Sequence, residues 1–147
     1  MSRGGASRHR SREVALQVLY AIEIAERGAG AGSAPEEALE RVAAHFELPE
    51  GARAFAKELL CGVVASRAAL DAQLAAHAEH WRVERMAAVD RNVLRLAAYE
   101  LLHSDTPRAV VIDEAVELAR RFGGDRSPAF VNGVLDALAR SVRGASG

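Results

Sequence analysis

No stretch of this chain alternates apolar and polar residues as a half-buried β-strand does, and this absence limits the available fold classes more than any other feature. Alanine, the residue with the highest helix propensity, is frequent throughout, and the β-branched residues are scattered instead of clustered. Apolar residues recur at the three- and four-residue spacing of an amphipathic helix. The sequence therefore predicts an all-α protein of about seven helices.

Glycine, proline and a capping pattern indicate where the predicted helices begin and end. Ser33 and Glu36 have the spacing of a capping box, in which both side chains bond free backbone N–H groups at a helix start. Gly123 follows a helical stretch and suits the left-handed residue that often ends a helix. We expect helices over about residues 7–26, from residue 33, from the end of a break at 49–51 to about 78, and over 87–103, 108–122 and 127–142.

The chain has the length of one domain, since 147 residues, 50% of them hydrophobic, can bury roughly two-thirds of the unfolded surface. We expect a single domain over residues 1–147, with flexible ends at 1–7 and 144–147. A single cysteine, Cys61, excludes a disulfide framework, which favours a reducing compartment and hence the cytoplasm. No unbroken run of about 20 apolar residues is apparent, so neither secretion nor a membrane is expected.

The charge of the chain is unevenly distributed. The formal net charge is -1, from 19 basic and 20 acidic residues, and this average argues against a nucleic-acid-binding protein. However, residues 1–12 contain four arginines and no acidic residue, whereas residues 13–60 contain 4 basic and 9 acidic residues. Residues 61–147 contain 11 of each. The N-terminus is therefore a candidate surface for an anionic partner.

Arg8, His9, Arg10 and Arg12 form a basic cluster at the start of the first predicted helix. Guanidinium groups bind phosphates bidentately and release counterions from a polyanion, so the cluster suits RNA phosphates. Cations at a helix N-terminus oppose the helix dipole at about 0.3–1 kcal/mol each, which an anionic partner would offset. The alternative interpretation is a disordered, solubilising basic tail.

Two aromatic residues have two interpretations each. Phe130 either packs the preceding loop onto the core or is exposed for stacking on a base. Tyr20 is either a core residue with its hydroxyl at the surface or a second exposed ring. Gly133 lies inside the last predicted helix, where glycine costs about 1 kcal/mol relative to alanine, and we expect it to permit close helix packing.

The remaining polar residues do not indicate an enzyme. His77, His80 and Glu84 have a helical spacing, but the helical pattern breaks among them, so no metal site is expected. Asp113 and the acidic residues that follow it have no nucleophile pattern nearby and are interpreted as a solvated helix face. Residues 28–32 are rich in glycine but lack the preceding strand and the lysine of a phosphate-binding loop, so no cofactor is predicted.

Three stretches of the sequence carry a resemblance to one family. In one-letter code they are RSREVALQVLY at 10–20, DRNVLRLAAYEL at 90–101, and IDEAVELARRFG at 112–123, which continues to FVNGVL at 130–135. In order and spacing they resemble the NusB family of bacterial transcription antitermination factors over nearly the whole chain. The last stretch is the most specific of the three.

The resemblance implies an all-helical fold of two small subbundles and a non-enzymatic role. Family members bind the boxA element of ribosomal RNA leader transcripts together with the ribosomal protein NusE, and the complex helps RNA polymerase read through termination signals. Position by position, the resemblance implies RNA contacts from the basic cluster and from two aromatic residues, and one acidic residue on the NusE side. These positions are Arg8, His9, Arg10, Arg12, Tyr20 and Phe130 for RNA, and Asp90 for NusE.

The sequence departs from the family pattern in the loop before Phe130. Pro128 and Ala129 stand there at positions that are often polar or basic in family members, and Arg126 is the residue that would compensate for a lost phosphate contact. The alternative function is a helical interaction or homodimerisation module, whose arginines would lie against an acidic partner surface. The chain also resembles the RNA-binding part of a ribosomal RNA methyltransferase, but we expect no such activity because the chain ends too soon for that catalytic domain.

Overall fold

The structure is a computed structural model that describes residues 2–28, 34–78 and 82–143, without the side chains of residues 2–6 and 143. The described residues contain six α-helices and one 3-10 turn. No β-strand occurs in these residues, so the predicted all-α class is confirmed, and the 3-10 turn is the seventh helical element. In chain order the elements are α1 (Ser2–Arg27), α2 (Pro35–Ala43), α3 (Glu50–His77), the 3-10 turn (Val83–Arg85), α4 (Ala88–His103), α5 (Arg108–Phe122) and α6 (Ser127–Arg143).

The first of two compact units covers Met1–Ala65 and contains α1, α2 and the first part of α3. α1 packs against α2. Ser11 of α1 shares its hydroxyl proton between the main-chain oxygens of Ser7, 2.9 Å away, and Ala52 of α3, 2.7 Å away. This buried bond attaches α1 to the first turn of α3. The core consists of residues at most 5% exposed, among them Val14, Val18, Leu19, Leu39, Ala56, Leu59, Leu60 and Val63.

The second unit covers Ser66–Gly147 and contains the rest of α3, the 3-10 turn and α4 to α6. Each of the last three helices packs against the other two. α4 is the central element, because every residue from 91 to 98 is buried. Apolar side chains from all four helices complete the core, including Leu70, Leu74, Val93, Leu94, Val111, Leu118, Val131, Leu135 and Leu138.

The charged residues buried in α4 have partners, as buried charges require. Arg95 donates two hydrogen bonds to the carboxylate of Asp71 on α3, over 2.7 and 2.9 Å. Arg91 donates to the main-chain oxygens of Val83 and Met86, both 2.8 Å away. The first pair joins α4 to α3, and the second attaches the 3-10 turn to α4.

Three predicted helix starts differ from the structure. α1 begins at Ser2, five residues before the predicted start, because Gly4 and Gly5 lower helix propensity without ending the helix. α2 begins at Pro35 after Ala34, and no side chain caps it; Ser33 of the predicted capping box lies outside the described residues. The end of α3 and both ends of α4, α5 and α6 agree with prediction within one residue, whereas α3 begins at Glu50, inside the predicted break. The predicted tail at 144–147 also lies outside the described residues.

Gly123 ends α5 in an extended conformation, with φ -98° and ψ -164°, so the predicted left-handed cap is wrong. Glycine is needed there for a steric reason: a Cβ atom would lie 2.6 Å from Ser127 Oγ and 2.8 Å from the main-chain oxygen of Ala119. The N–H group of Gly124 donates to the same Ser127 hydroxyl over 2.9 Å. The buried Ser127 side chain therefore closes the turn between α5 and α6.

Among the described residues, α3 is the one helix long and apolar enough to cross a membrane by length and composition alone. The sequence predicts no unbroken apolar run of about 20 residues, and Arg67 and Asp71 interrupt the apolar part of this helix. Core helices of soluble proteins meet the same criterion. Leu70 and Leu74 of α3 are fully buried in the second unit, as in a core helix, so the composition of α3 is a weak indication of a membrane span.

Candidate nucleic-acid interface

The arginines in the first half of α1 lie on the rings of two phenylalanines. The Cζ atom of Arg8 is 4.4 Å from the ring centroid of Phe55, and that of Arg12 is 5.4 Å from the same centroid. The Cζ atom of Arg10 is 5.5 Å from the ring centroid of Phe46. We call these five residues the Arg-Phe cluster. Contacts of this length are cation–π interactions, so the two rings hold three guanidinium groups in place.

The register of α1 against α3 explains the cluster. Arg8 and Arg12 are four residues apart, so they lie on the same face of α1, one turn from each other. Ser11 bonds the main-chain oxygen of Ala52, which lies three residues before Phe55 in the same helix. The bond therefore brings the face that carries both arginines to the ring of Phe55.

Arg8 and Arg10 present their charge to solvent, whereas Arg12 does not. Both side chains are exposed, and no carboxylate of a described residue lies within salt-bridge distance of either. Arg12 has only 4% of its surface exposed. His9 lies 3.0 Å from the carboxylate of Glu13 and is half-buried. Two of the four predicted phosphate-binding side chains are thus exposed to an anion in solution.

The predicted conflict between the arginines and the helix dipole is small. Because α1 begins at Ser2, Arg8 is its seventh residue and lies beyond the first turn, where the dipole acts most strongly. The alternative of a disordered tail does not fit either, since residues 8–12 are helical and contact α3 and the segment before it. The two phenylalanine rings account for the position of the arginines without an anionic partner.

Tyr20 lies at the surface of α1 with 41% of its area exposed, which excludes the interpretation as a core residue. Ile24, one turn later, is 48% exposed. Tyr20 lies eight residues after Arg12, or about 12 Å along the helix axis. The first unit therefore carries an exposed aromatic ring on the same helix as its arginines.

The second unit carries the remaining predicted RNA contacts at the start of α6. Arg126 is exposed directly before the helix, and Phe130 in the first turn is half-buried, so part of its ring is accessible. Gly133 is exposed, and a Cβ atom there would have no described neighbour within 4 Å beyond its own helix. The prediction that Gly133 permits close helix packing is therefore wrong for the part of the chain that the structure describes.

Asp90 lies in the first turn of α4, where the helix dipole favours a carboxylate. The residue is half-buried, and its Oδ1 atom is enclosed without a hydrogen-bond partner among the described residues. A buried polar atom without a partner costs about 1–3 kcal/mol. Asp90 Oδ1 is the one enclosed side-chain atom of this kind among the described residues.

The helical pattern of the sequence predicts Phe46 and Phe55 to be core residues and does not assign them to a site. Both are half-buried, and the ring of each is in contact with arginine. A core position and a support for arginine have the same spacing in a helical pattern, so the pattern cannot separate them. The one sequence signal for the Arg-Phe cluster is that no acidic residue precedes Glu13, so Arg8 and Arg10 have no carboxylate before them in the sequence to pair with.

No group of three or more His, Cys, Asp or Glu side chains that could hold a metal ion occurs within residues 2–28, 34–78 and 82–143. His80 of the trio considered from the sequence lies outside these ranges. A ring nitrogen of His77 is hydrogen-bonded to the main-chain oxygen of Gln73 over 2.9 Å. This bond is a local one within the last turn of α3.

Known proteins resemble this chain over nearly its whole length. The transcription antitermination protein NusB of Sorangium cellulosum is 49% identical to this chain over 142 residues, which cover 92% of this chain and 94% of that protein. The protein of the same name from Anaeromyxobacter dehalogenans is 47% identical over 136 residues, with 92% of each covered.

Solved structures resemble the fold as closely. The structure of T. maritima NusB superposes with a TM-score of 0.80 at 34% identity, covering 90% of each chain. A crystal structure of the antitermination factors NusB and NusE in complex with dsRNA has a TM-score of 0.81 at 27% identity, covering 92% of this chain and 98% of that chain. Residues 9–140 match the NusB family. From the family match and the identity of these relatives together, the chain belongs to the NusB family.

Proposed function

We propose that this protein is a transcription antitermination factor that binds boxA-type single-stranded RNA together with the ribosomal protein NusE. The complex promotes read-through by RNA polymerase in the cytoplasm, and the protein itself catalyses no reaction. The observation that carries the proposal is the pair of exposed arginines, Arg8 and Arg10, each supported by a phenylalanine ring. Family membership and the solved complex of NusB and NusE with RNA support the same function.

The side chains divide into those that bind phosphates and those that contact bases. Arg8, Arg10 and Arg126 supply salt-dependent affinity without sequence preference. Recognition of single-stranded RNA also needs aromatic surfaces on which bases stack. Tyr20 is exposed and Phe130 is half-buried, so these two rings are the proposed stacking surfaces. Arg12 is buried, with its guanidinium group 5.4 Å from the centroid of the Phe55 ring, and His9 is paired with Glu13.

A titration of boxA-type RNA at several salt concentrations tests the RNA-binding part. Each phosphate contact on a single strand contributes about -0.7 to the slope of log affinity against log salt. Two contacts from Arg8 and Arg10 predict a slope of about -1.4, and a third from Arg126 predicts about -2. Arg10→Ala should flatten the slope by one contact, whereas Arg140→Ala, an exposed arginine paired with Asp136, should not change it. No binding with or without NusE would refute the proposal.

Asp90 is the proposed contact to NusE, because the family resemblance puts a partner-binding acidic residue at this position and the residue is only half-buried at the start of α4. Asp90→Asn removes the charge of the acceptor and should weaken NusE binding by about tenfold or more, since a hydrogen bond to a charged group contributes about 1.5–3 kcal/mol. The matched control is Asp105→Asn, which changes an exposed carboxylate after α4. Equal NusE affinity for both variants would remove Asp90 from the interface.

The competing function is association with a second copy of the chain. Sedimentation with and without RNA separates the two functions. A monomer that forms a salt-sensitive complex with RNA supports the proposal. A stable dimer that RNA does not dissociate, and whose assembly does not depend on salt, contradicts it.

A further inference from the structure

A cleft of about 530 Å³ lies between the end of α2 and the start of α3. Its volume is in the range of sites that hold small ligands. The cleft combines an aromatic ring, aliphatic side chains, one acidic residue and one basic residue. Its lining residues are Ala43, Phe46, Glu47, Leu48, Pro49 and Arg53.

The cleft is continuous with the Arg-Phe cluster through one shared residue. Phe46 lines the cleft and also holds the guanidinium group of Arg10, 5.5 Å from its ring centroid. Arg10 is exposed and has no carboxylate partner among the described residues, so it is available to a phosphate. A phosphate bound at Arg10 therefore lies next to a ring that lines the cleft.

The lining suits one nucleotide better than a purely apolar or purely anionic ligand. The half-buried ring of Phe46 and the side chains of Leu48 and Pro49 offer surfaces to a flat base. Arg53 is 47% exposed at its side chain and lies 3.7 Å from Glu40, an exposed ion pair of small stability that a phosphate can replace. Glu47 offers two acceptor oxygens to the edge of a base.

We propose that this cleft binds one nucleobase of the RNA held by Arg8 and Arg10, and that Glu47 makes it prefer guanine. The inference rests on the proposed RNA-binding function. Guanine presents two neighbouring donors, N1–H and N2–H, which match the two oxygens of a carboxylate. Uracil presents one N–H group between two carbonyl oxygens, which repel a carboxylate. Glu47 is thus a specificity-determining residue, and Arg53 binds phosphate regardless of the base.

Mononucleotides test the cleft separately from RNA binding. The full chain, labelled at its alanine and leucine methyl groups, is titrated with GMP, UMP and ribose 5-phosphate while the methyl signals of Ala43 and Leu48 are followed by NMR. GMP should shift both signals saturably and bind at least about fivefold more tightly than UMP, the lower limit for a two-hydrogen-bond contact to a base. Glu47→Gln should abolish this preference, whereas Glu58→Gln, an exposed residue of α3 outside the cleft, should keep it.

The outcomes separate the cleft from the proposed function. Equal shifts with all three probes would show binding of phosphate alone and would overturn the base preference. Absence of shifts with GMP would overturn the cleft as a nucleotide site, and RNA binding that depends on Arg10 would leave the proposed function standing in that case. Arg53→Gln should weaken the binding of GMP and of UMP by the same factor. If this variant lost the preference for GMP, then Arg53 and not Glu47 would be the residue that carries it.

Discussion

Phe55→Leu tests whether the phenylalanine ring positions the arginines that bind RNA. The substitution retains an apolar side chain of similar volume and all the charges of α1, but it removes the ring that Arg8 and Arg12 contact at 4.4 and 5.4 Å. Each cation–π contact at a surface contributes about 0.5–1 kcal/mol. The free chain has this contact too, so its loss weakens the RNA complex through the lost positioning of Arg8, with an upper limit of about 1 kcal/mol, or about fivefold.

The assay is the RNA titration at several salt concentrations, together with thermal unfolding of each variant. Phe55→Leu should raise Kd by up to about fivefold and leave the salt slope unchanged, because the number of phosphate contacts stays the same. Arg8→Ala should instead lower the slope by about 0.7. A matched control is Phe122→Leu, since the Cζ atom of Arg121 lies 5.1 Å from the centroid of that ring, outside the proposed RNA contacts.

Both leucine variants should lose stability to a similar extent, with Tm lower by about 2–4 °C for each kcal/mol in a chain of this size. Only Phe55→Leu should lose RNA affinity. If both variants unfold at similarly reduced temperatures and bind RNA as tightly as the parent chain, then the ring of Phe55 contributes to the core alone. The reasoning that links the ring to phosphate binding would then be refuted.

Three further predictions concern the fold. Gly133→Ala should raise the free energy of unfolding by up to about 1 kcal/mol, and with it Tm, because the residue is helical and exposed with open space around it. A lower Tm would reveal a close neighbour. Gly123→Ala should lower stability by about 1–3 kcal/mol, since the new Cβ would meet Ser127 Oγ at 2.6 Å, and an unchanged denaturation midpoint would contradict this clash. Burial, and then the nearby Glu36 carboxylate, raise the pKa of the Cys61 thiol above its ordinary value of 9.0. The folded chain therefore favours the protonated thiol, and the stability of the fold should decrease as pH rises above about 9 towards the raised pKa. Alkylation at pH 8 should accordingly be slower in the folded chain than in urea and faster in Glu36→Gln, and equal rates would contradict the shift.

The sequence predicts most of the helices because their ends carry local signals. Pro107 precedes α5 and Gly123 follows it, and the predicted range of 108–122 matches the structure. The start of α1 is missed because Gly4 and Gly5 lower the local helix propensity, although the helix continues through both. Local propensity therefore predicts the presence of a helix better than its first residue.

The site is predicted only in part, because its geometry depends on contacts between distant segments. The sequence identifies Arg8 and Arg10 as a basic pair, but only the packing of α1 on α3 shows that Arg12 is buried beneath a ring. Gly133 shows the opposite error, since a glycine inside a helix suggests a packing contact that the described residues do not contain. Neither burial nor open space around a residue can be read from helical spacing alone.

The attachment of the 3-10 turn to α4 by Arg91 determines how the segment before α4 responds to its chemical environment. A guanidinium group is a charged donor, so its bonds to the oxygens of Val83 and Met86 are stronger than bonds between neutral groups. The group is 2% exposed, which also removes it from most of the screening by dissolved ions. We therefore expect the backbone beside Asp90 to keep its position as the salt concentration changes. A salt dependence of partner binding is then expected to arise at the contacting side chains.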